Sequence, residues 1–340
     1  MTTEKLLEVQ DLRVSFFTPV GEVKAVGGIS YTLNRGEVMG IVGESGSGKS
    51  VEAYSVMGIL ESPGKVVGGS IRFEGQDLLA YAGKDMEKIR GSRISMIFQN
   101  PMESLNPVYT IGNQLMDVLR KHAPDVSPRR ARERGLEMLR LVGITNPHQR
   151  MKQYPHELSG GMRQRVMIAM GLICEPHLLI ADEPTTALDV TIQAQILELM
   201  KKIREENYMG IIFITHNMGV IAEICDTVAV MYGGYMVEQG TVEDIFYAPL
   251  HPYTKGLLRS MPRIDKEKSE RLIPIEGTPI NMLDPNPGCP FAPRCGSCMK
   301  ICVNSMPPET ILAGNHRSRC WLHIRDGSAQ GAEGAEGKRT

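Results

Sequence analysis

The stretch "GESGSGKS", Gly43 to Ser50, constrains this chain more than any other eight residues. An apolar run, "EVMGIV", leads into it, and a helically spaced run, "KSVEAYSVMGILE", leads out. A strand that ends in glycines and reopens as a helix, with Lys then Ser at the junction, fits G-x-x-x-x-G-K-[ST]. The glycines let backbone N–H groups turn inward around an anion. The helix N-terminus adds its dipole. Lys49 sets a cation where the β- and γ-phosphate oxygens of a nucleotide lie, and the Ser50 hydroxyl suits Mg²⁺. Gly43, Glu44, Ser45, Gly46, Ser47, Gly48, Lys49 and Ser50 therefore read as an ATP-binding loop.

Such a loop needs a parallel sheet behind it. "LLIADEP" and "IIFITHN" read as two further buried strands, followed by the helical patterns "TIQAQILELMKKIREE" and "GVIAEIC". This alternation implies a mostly parallel α/β sheet covered by helices. "LLEVQDLRVSFF" and "GEVKAVGGISYTL" read as short antiparallel strands with turns at Gly21 and Gly27-Gly28. From about Asp117 to Leu141 the text is helical and charged. After about Pro262 the periodicity fades, prolines 262, 274, 279, 285 and 287 punctuate the chain, and five cysteines follow. The expected division is a nucleotide-binding unit over residues 1–262, with a helical part at about 100–175. A small irregular Cys-rich module follows at 263–325, then a low-complexity tail, 326–340, that reads as disordered.

Acidic residues complete the chemistry. Asp182 ends the strand "LLIAD", where a carboxylate suits the Mg²⁺ shell. Glu183, one residue on, is placed to act as general base on the attacking water. His216 and Gln99 also follow strands, at the carboxyl edge where ligands bind in parallel sheets. The Gln99 amide could sit on Mg²⁺ or on the water. Phe16 could stack on adenine, with Phe17 the competing choice and a core role the plain alternative.

A second phosphate cradle lies more than a hundred residues downstream. In "LSGGMRQR", Ser159 and two glycines precede the apolar-periodic run Met162, Val166, Ala169, Met170 and Ile173, which reads as an N-capped helix with a bare positive end. These motifs in this order resemble the ATP-binding-cassette family over roughly residues 5–260. "LSGGMRQR" is similar to its signature motif, "ITHN" to its switch histidine, "FQNP" to its Q-loop and "ALD" (Ala187 to Asp189) to its D-loop. The resemblance answers why two cradles exist. In that family the signature closes on the nucleotide held by a second cassette, head to tail. Ser159, Gly160, Gly161 and Gln164 would then serve the partner's ATP, and hydrolysis would loosen the pair.

Within the family, "NPMESLNPVYTIGNQ" (100–114) and "HPYTKGLLRSMP" (251–262) look like the ATPase subunits of dipeptide and oligopeptide importers, with nickel and opine relatives. The resemblance implies a second ATPase subunit, a sibling chain or a copy, beneath two membrane permeases. An extracellular binding protein would feed them, and residues near 100–115 would meet the permease. Chromosome-maintenance ATPases split the halves with a long coiled coil, whereas about 110 residues separate the two cradles here. Translation-factor cassettes carry two copies per chain, and this chain has one. A soluble cassette role outside transport is the distant alternative.

Lys plus Arg (38) balances Asp plus Glu (39), so no basic field points to nucleic acid. No apolar run is long enough to cross a bilayer, and "MTTEKLLEVQ" has no signal-peptide core. The expected location is the cytoplasmic face of the membrane, held through partners. The basic run "SPRRARERG" reads as a solvated helix face. Seven cysteines argue for metal or burial rather than disulfides, with Cys174 and Cys225 read as core residues. Spacing alone allows a zinc site from Cys295, Cys298, Cys320 and His323. The resemblance offers a [4Fe–4S] cluster on Cys289, Cys295, Cys302 and Cys320, in the pattern C-x₅-C-x₆-C-x₁₇-C. Thiols without metal are the third reading.

Overall fold

A computed structural model describes residues 4–81, 83–100, 104–185, 190–261, 274–283 and 285–324. In chain order the described strands are β1 (Lys5–Thr18), β2 (Gly21–Asn34), β3 (Val38–Val42), β4 (Gly64–Phe73), β5 (Gln76–Asp77), β6 (Ile94–Ile97), β7 (Leu178–Asp182), β8 (Gly210–Thr215), β9 (Thr227–Tyr232), β10 (Tyr235–Thr241), β11 (Thr310–Ala313) and β12 (His316–Ser318). They form two sheets. One is antiparallel, ordered β2-β1-β4-β5. The other is ordered β11-β12-β10-β9-β3-β8-β7-β6, and its β9-β3-β8-β7-β6 part is parallel.

The parallel strands are apolar throughout because both their faces are covered; every residue of β3, β7 and β8 is buried. The two-residue alternation divides the core into layers. Ile41, Ile180, Ile212 and Ile214 pack toward the antiparallel sheet with Leu7, Ile29 and Phe73. Val38, Leu179, Ile211 and Phe213 pack on the other side, with Leu139, Val166 and Ile168 from the helices. The opening strands are longer than their text suggests. β1 and β2 are each 14 residues, and β1 passes through a register shift near Asp11, whose φ is 45°.

Between β6 and β7 lie the helices Ile111–His122, Pro128–Leu141 and Gly160–Leu172. The helical text of residues 117–141 is thus divided between two helices. Ser127 caps the second by accepting from the Arg130 N–H, with Pro128 at its first position, so the first helix stops at His122. The basic run of that second helix is solvated as read, with Arg129 paired to Glu133 at 3.1 Å.

The C-terminal stretch is tied into the sheet. β12 pairs antiparallel with β10 through Glu238↔Ser318 and Gln239↔Arg317, and β11 pairs with β12. Buried Glu238 anchors the junction. Its carboxylate accepts from the Leu250 N–H (2.7 Å), the His251 N–H (2.8 Å) and His316 Nε2 (2.8 Å). A buried carboxylate needs such partners, and here three donors come from two separate segments, 250–251 and the strand at His316.

Candidate active site

The phosphate loop joins β3 to the helix Lys49–Met57, as its motif requires. Gly48 holds φ 102°, and a Cβ there would run into the Ala25 carbonyl and the Met231 side chain. Only glycine meets both conditions. Gly46, at φ 77°, has nothing near its Cβ direction, so it faces open space. Lys49 Nζ folds onto its own loop and donates to the Gly43 carbonyl (2.8 Å) and the Glu44 carbonyl (2.9 Å). Burial lowers the Lys49 pKa, while Glu183, Asp182 and Glu44 oppose the shift.

Asp182 ends β7 beside this lysine and is buried. Neither of its oxygens finds a hydrogen-bond partner of good geometry. Burial pushes its carboxyl pKa up and Glu183 adds to the rise, while the nearby Ser50 hydroxyl and Lys49 ammonium pull it down. Two unsatisfied, buried carboxylate oxygens next to a serine hydroxyl fit a divalent cation well.

Glu183 brings the expected catalytic residues together. Gln99 Nε2 donates to its Oε2 at 2.9 Å, and His216 Nδ1 lies 3.0 Å from its Oε1. Gln99 follows β6 and His216 follows β8, so three neighbouring strands each contribute one group. Glu183 itself sits at φ 46°, a left-handed conformation that a glutamate adopts at a cost. Its N–H bonds the Ile214 carbonyl at 2.9 Å, which holds it there.

Phe16 is half-buried against Gly64, and Phe17 is exposed. Ser159 caps the helix Gly160–Leu172 by accepting from the Met162 N–H at 3.4 Å. Ser159 and Gly160 are exposed, and a Cβ on Gly160 would meet nothing within 4 Å. Gln164 parts company with them. It is buried, and its amide donates to the Pro184 carbonyl, so it braces the segment after Glu183 instead of facing outward with the cradle. Asp189, with the rest of "ALD", lies outside the described residues.

Cys289, Cys295, Cys302 and Cys320 line one small cavity with His251 and Trp321. Burial pushes the Cys289 thiol up to about 12 and raises Cys295 and Cys320 as well. The zinc combination is not assembled. Cys298 is exposed, and His323 Nε2 turns to the Leu250 carbonyl at 3.1 Å. Among the described residues, no group of three or more His, Cys, Asp or Glu side chains is disposed to grip a metal ion.

Sequence reasoning missed two contacts on the phosphate loop. Arg294 Nη1 and Nη2 lie 2.6 Å and 3.1 Å from the two Glu44 carboxylate oxygens. The Glu44 N–H donates to the Tyr253 hydroxyl at 2.8 Å. These partners stand 250 and 209 residues away from Glu44, beyond any local pattern.

Residues 26–186 match the ABC transporter family, and residues 237–302 match the oligopeptide/dipeptide transporter C-terminal region. The dipeptide transport ATP-binding protein DppD of Bacillus subtilis is 55% identical over 320 residues, spanning 94% of this chain and 95% of that one. The oligopeptide transport ATP-binding protein OppD of Salmonella typhimurium is 52% identical over 321 residues, spanning 94% and 95%. Among solved structures, dimeric MJ0796, a bacterial ABC transporter cassette, aligns with a TM-score of 0.64 at 25% identity, covering 70% of this chain and 99% of that one. With its glycine-rich loop between β3 and a helix and this likeness along its length, the chain belongs to the ABC transporter ATP-binding family, in the oligopeptide/dipeptide branch.

Proposed function

We propose that this chain is the ATP-hydrolysing subunit that powers import of dipeptides or oligopeptides through a membrane ABC transporter. The observation that carries the hydrolytic reading is Glu183, held between Gln99 and His216 beside the Lys49 loop. The cargo reading is supported by relatives named for dipeptide and oligopeptide transport. ATP phosphates lie in the Gly43–Ser50 loop with Lys49 turned onto the β- and γ-oxygens, and Phe16 takes the adenine. Glu183 orients the attacking water and accepts its proton as the γ-phosphoryl group passes to the water oxygen, leaving ADP and phosphate. His216 fixes the Glu183 carboxylate from one side and Gln99 from the other. Ser50, Asp182 and Gln99 are the residues that would hold Mg²⁺, which neutralises phosphate charge when bound.

The second cradle, Ser159 to Gly161, serves a partner cassette's nucleotide. A paralogous ATPase subunit and two permeases complete the assembly, fed by an extracellular binding protein. No described helix is long and apolar enough to cross a membrane, so attachment runs through those permeases. The loop before the helix Ile111–His122 suits that contact. The buried Gln114 amide pins the Asn106 and Tyr109 carbonyls at 2.9 Å each and leaves Val108 and Tyr109 exposed. For domain organisation we keep residues 1–262, 263–325 and 326–340 as the working division. In the C-terminal cavity we infer that Cys289, Cys295, Cys302 and Cys320 are the ligand set of a [4Fe–4S] cluster. Their shared lining of one small cavity supports this; the four side chains would have to turn toward a common centre to hold it, since they are not so disposed in this structure. Four irons and four acid-labile sulfides per anaerobically purified chain would bear it out, and bound zinc without colour would replace it.

The function is tested in the host cell. Disrupting this gene abolishes uptake of a labelled dipeptide; wild type restores it and Lys49→Ala does not. Intact peptide uptake with lost nickel uptake would move the assignment to the nickel relatives. Unchanged transport of both would leave a soluble cassette role.

A further inference from the structure

Arg294 stands between Cys289 and Cys295 in sequence, yet its guanidinium ends inside the phosphate loop. Its side chain is 4% exposed. Nε donates to the Glu276 carbonyl at 2.9 Å, and Nη2 donates to the Ile275 carbonyl at 3.0 Å. Nη1 and Nη2 hold the two Glu44 oxygens, and Nη1 reaches the Tyr232 hydroxyl at 3.3 Å. The fork is therefore fully used, in the bidentate geometry that only arginine offers a carboxylate. Tyr253 secures the Glu44 N–H from the other side. The Glu44 carbonyl in turn accepts from the Ser47 N–H (3.2 Å) and from Lys49 Nζ (2.9 Å). One residue of the loop thus has its side chain and N–H held from the C-terminal side, while its carbonyl holds the lysine that must meet the phosphates.

Glu44 presents a problem that this arrangement solves. A bare carboxylate within a loop built for a polyanion repels the ligand, and its fixed position in a half-buried site weakens solvent screening. We propose that Arg294, with Tyr253, is a positioning residue of the ATP site: it neutralises Glu44 and locks the backbone that wraps the phosphates. The proposal rests on the ATP-binding reading above and names a contribution to it from outside the cassette motifs. Arg294 touches no substrate; it acts through Glu44.

The test is calorimetric titration of Mg-ATP into the purified full-length chain. Arg294→Ala weakens binding by roughly tenfold or more, because a buried charge loses its partner. Arg294→Lys also weakens it, since one ammonium cannot grip both oxygens and both carbonyls. Adding Glu44→Gln to Arg294→Ala recovers affinity to within about threefold of Glu44→Gln alone, because the repulsion is gone. Wild-type affinity in Arg294→Ala overturns the proposal. So does equal weakness in the single and double variants, which would mark Arg294 as merely structural. If Arg294→Ala fails to fold, Tyr253→Phe reads the same grip, with roughly threefold weaker binding expected and unchanged binding counting against it. Lys49→Ala runs alongside. If it binds Mg-ATP as wild type does, the ATP-loop reading itself falls, whatever Arg294 does.

Discussion

On the proposed function, Glu183 concentrates the chemistry of this molecule in one side chain. Its strained φ of 46° and its two clamps, Gln99 and His216, fix the carboxylate before any nucleotide arrives. Glu183→Gln keeps the shape and the Gln99 neighbourhood but cannot accept a proton. We expect steady-state phosphate release to fall roughly 10²–10⁴-fold, while ATP still binds and a nucleotide-held dimer accumulates on size-exclusion chromatography. Normal turnover in this variant would remove Glu183 from the base role. At this scale most of the site is legible in the text. Asp182 ends a buried strand, Glu183 and His216 directly follow one, and Lys49 follows one through its loop; a parallel sheet delivers such positions to one edge. Arg294 and Tyr253 are not legible, because the signal that joins them to Glu44 is tertiary and spans over 200 residues. Gln164 shows the converse. Its motif groups it with Ser159, but helical geometry turns position 164 inward toward Pro184.

The helix Gly160–Leu172 has an exposed N-terminus with Ser159 as its cap. If that end completes a partner's site, bulk and positive charge there harm the partner while sparing this chain's own loop. Ser159→Arg should bind ATP within about twofold of wild type. The assembled complex should lose roughly tenfold or more of its hydrolysis at the composite site, beyond the ~1 kcal/mol of helix stability that a lost cap costs. Full activity of the complex would refute the composite arrangement. Among the elements, the buried parallel strands are readable because both faces of each demand apolar residues. The break at Ala123–Ser127 is readable only through its cap, Ser127-Pro128, since amphipathic spacing resumes after it. β11 and β12, four and three residues long, carry no periodicity from which a strand could be inferred.

Across the whole molecule, two buried titrating groups oppose each other. His251 caps the helix Pro252–Arg259, with its Nδ1 accepting from the Tyr253 N–H at 3.1 Å, and burial lowers its pKa to about 3. Unfolding lets it take up a proton near 6.5. Its contribution to stability is therefore full above that pH and drains away as pH falls toward 3. Buried Glu52, hydrogen-bonded to Tyr31, runs the other way. Burial raises it to about 7, so its contribution is present below its ordinary 4.5 and is lost as pH rises through 7. Between these values the two slopes offset. His251→Asn retains a cap acceptor and removes one slope. Relative to wild type, the variant should gain about 1 kcal/mol between pH 6.5 and 5.5, read as a shift in melting temperature in its favour. A gap that stays constant from pH 7 to 5 would discard this role for His251.

The pairing of β12 with β10 sets a practical limit on how this polypeptide can be shortened. Cutting behind Met261 would bare the outer rim of β10 and strand the Glu238 carboxylate without its His316 neighbour. It would also unclamp Glu44, two sheet positions and a loop away, because Arg294 would leave with the discarded piece. Nucleotide-handling machinery excised at the boundary its motifs suggest would thus be sticky at one flank and slack at its phosphate grip.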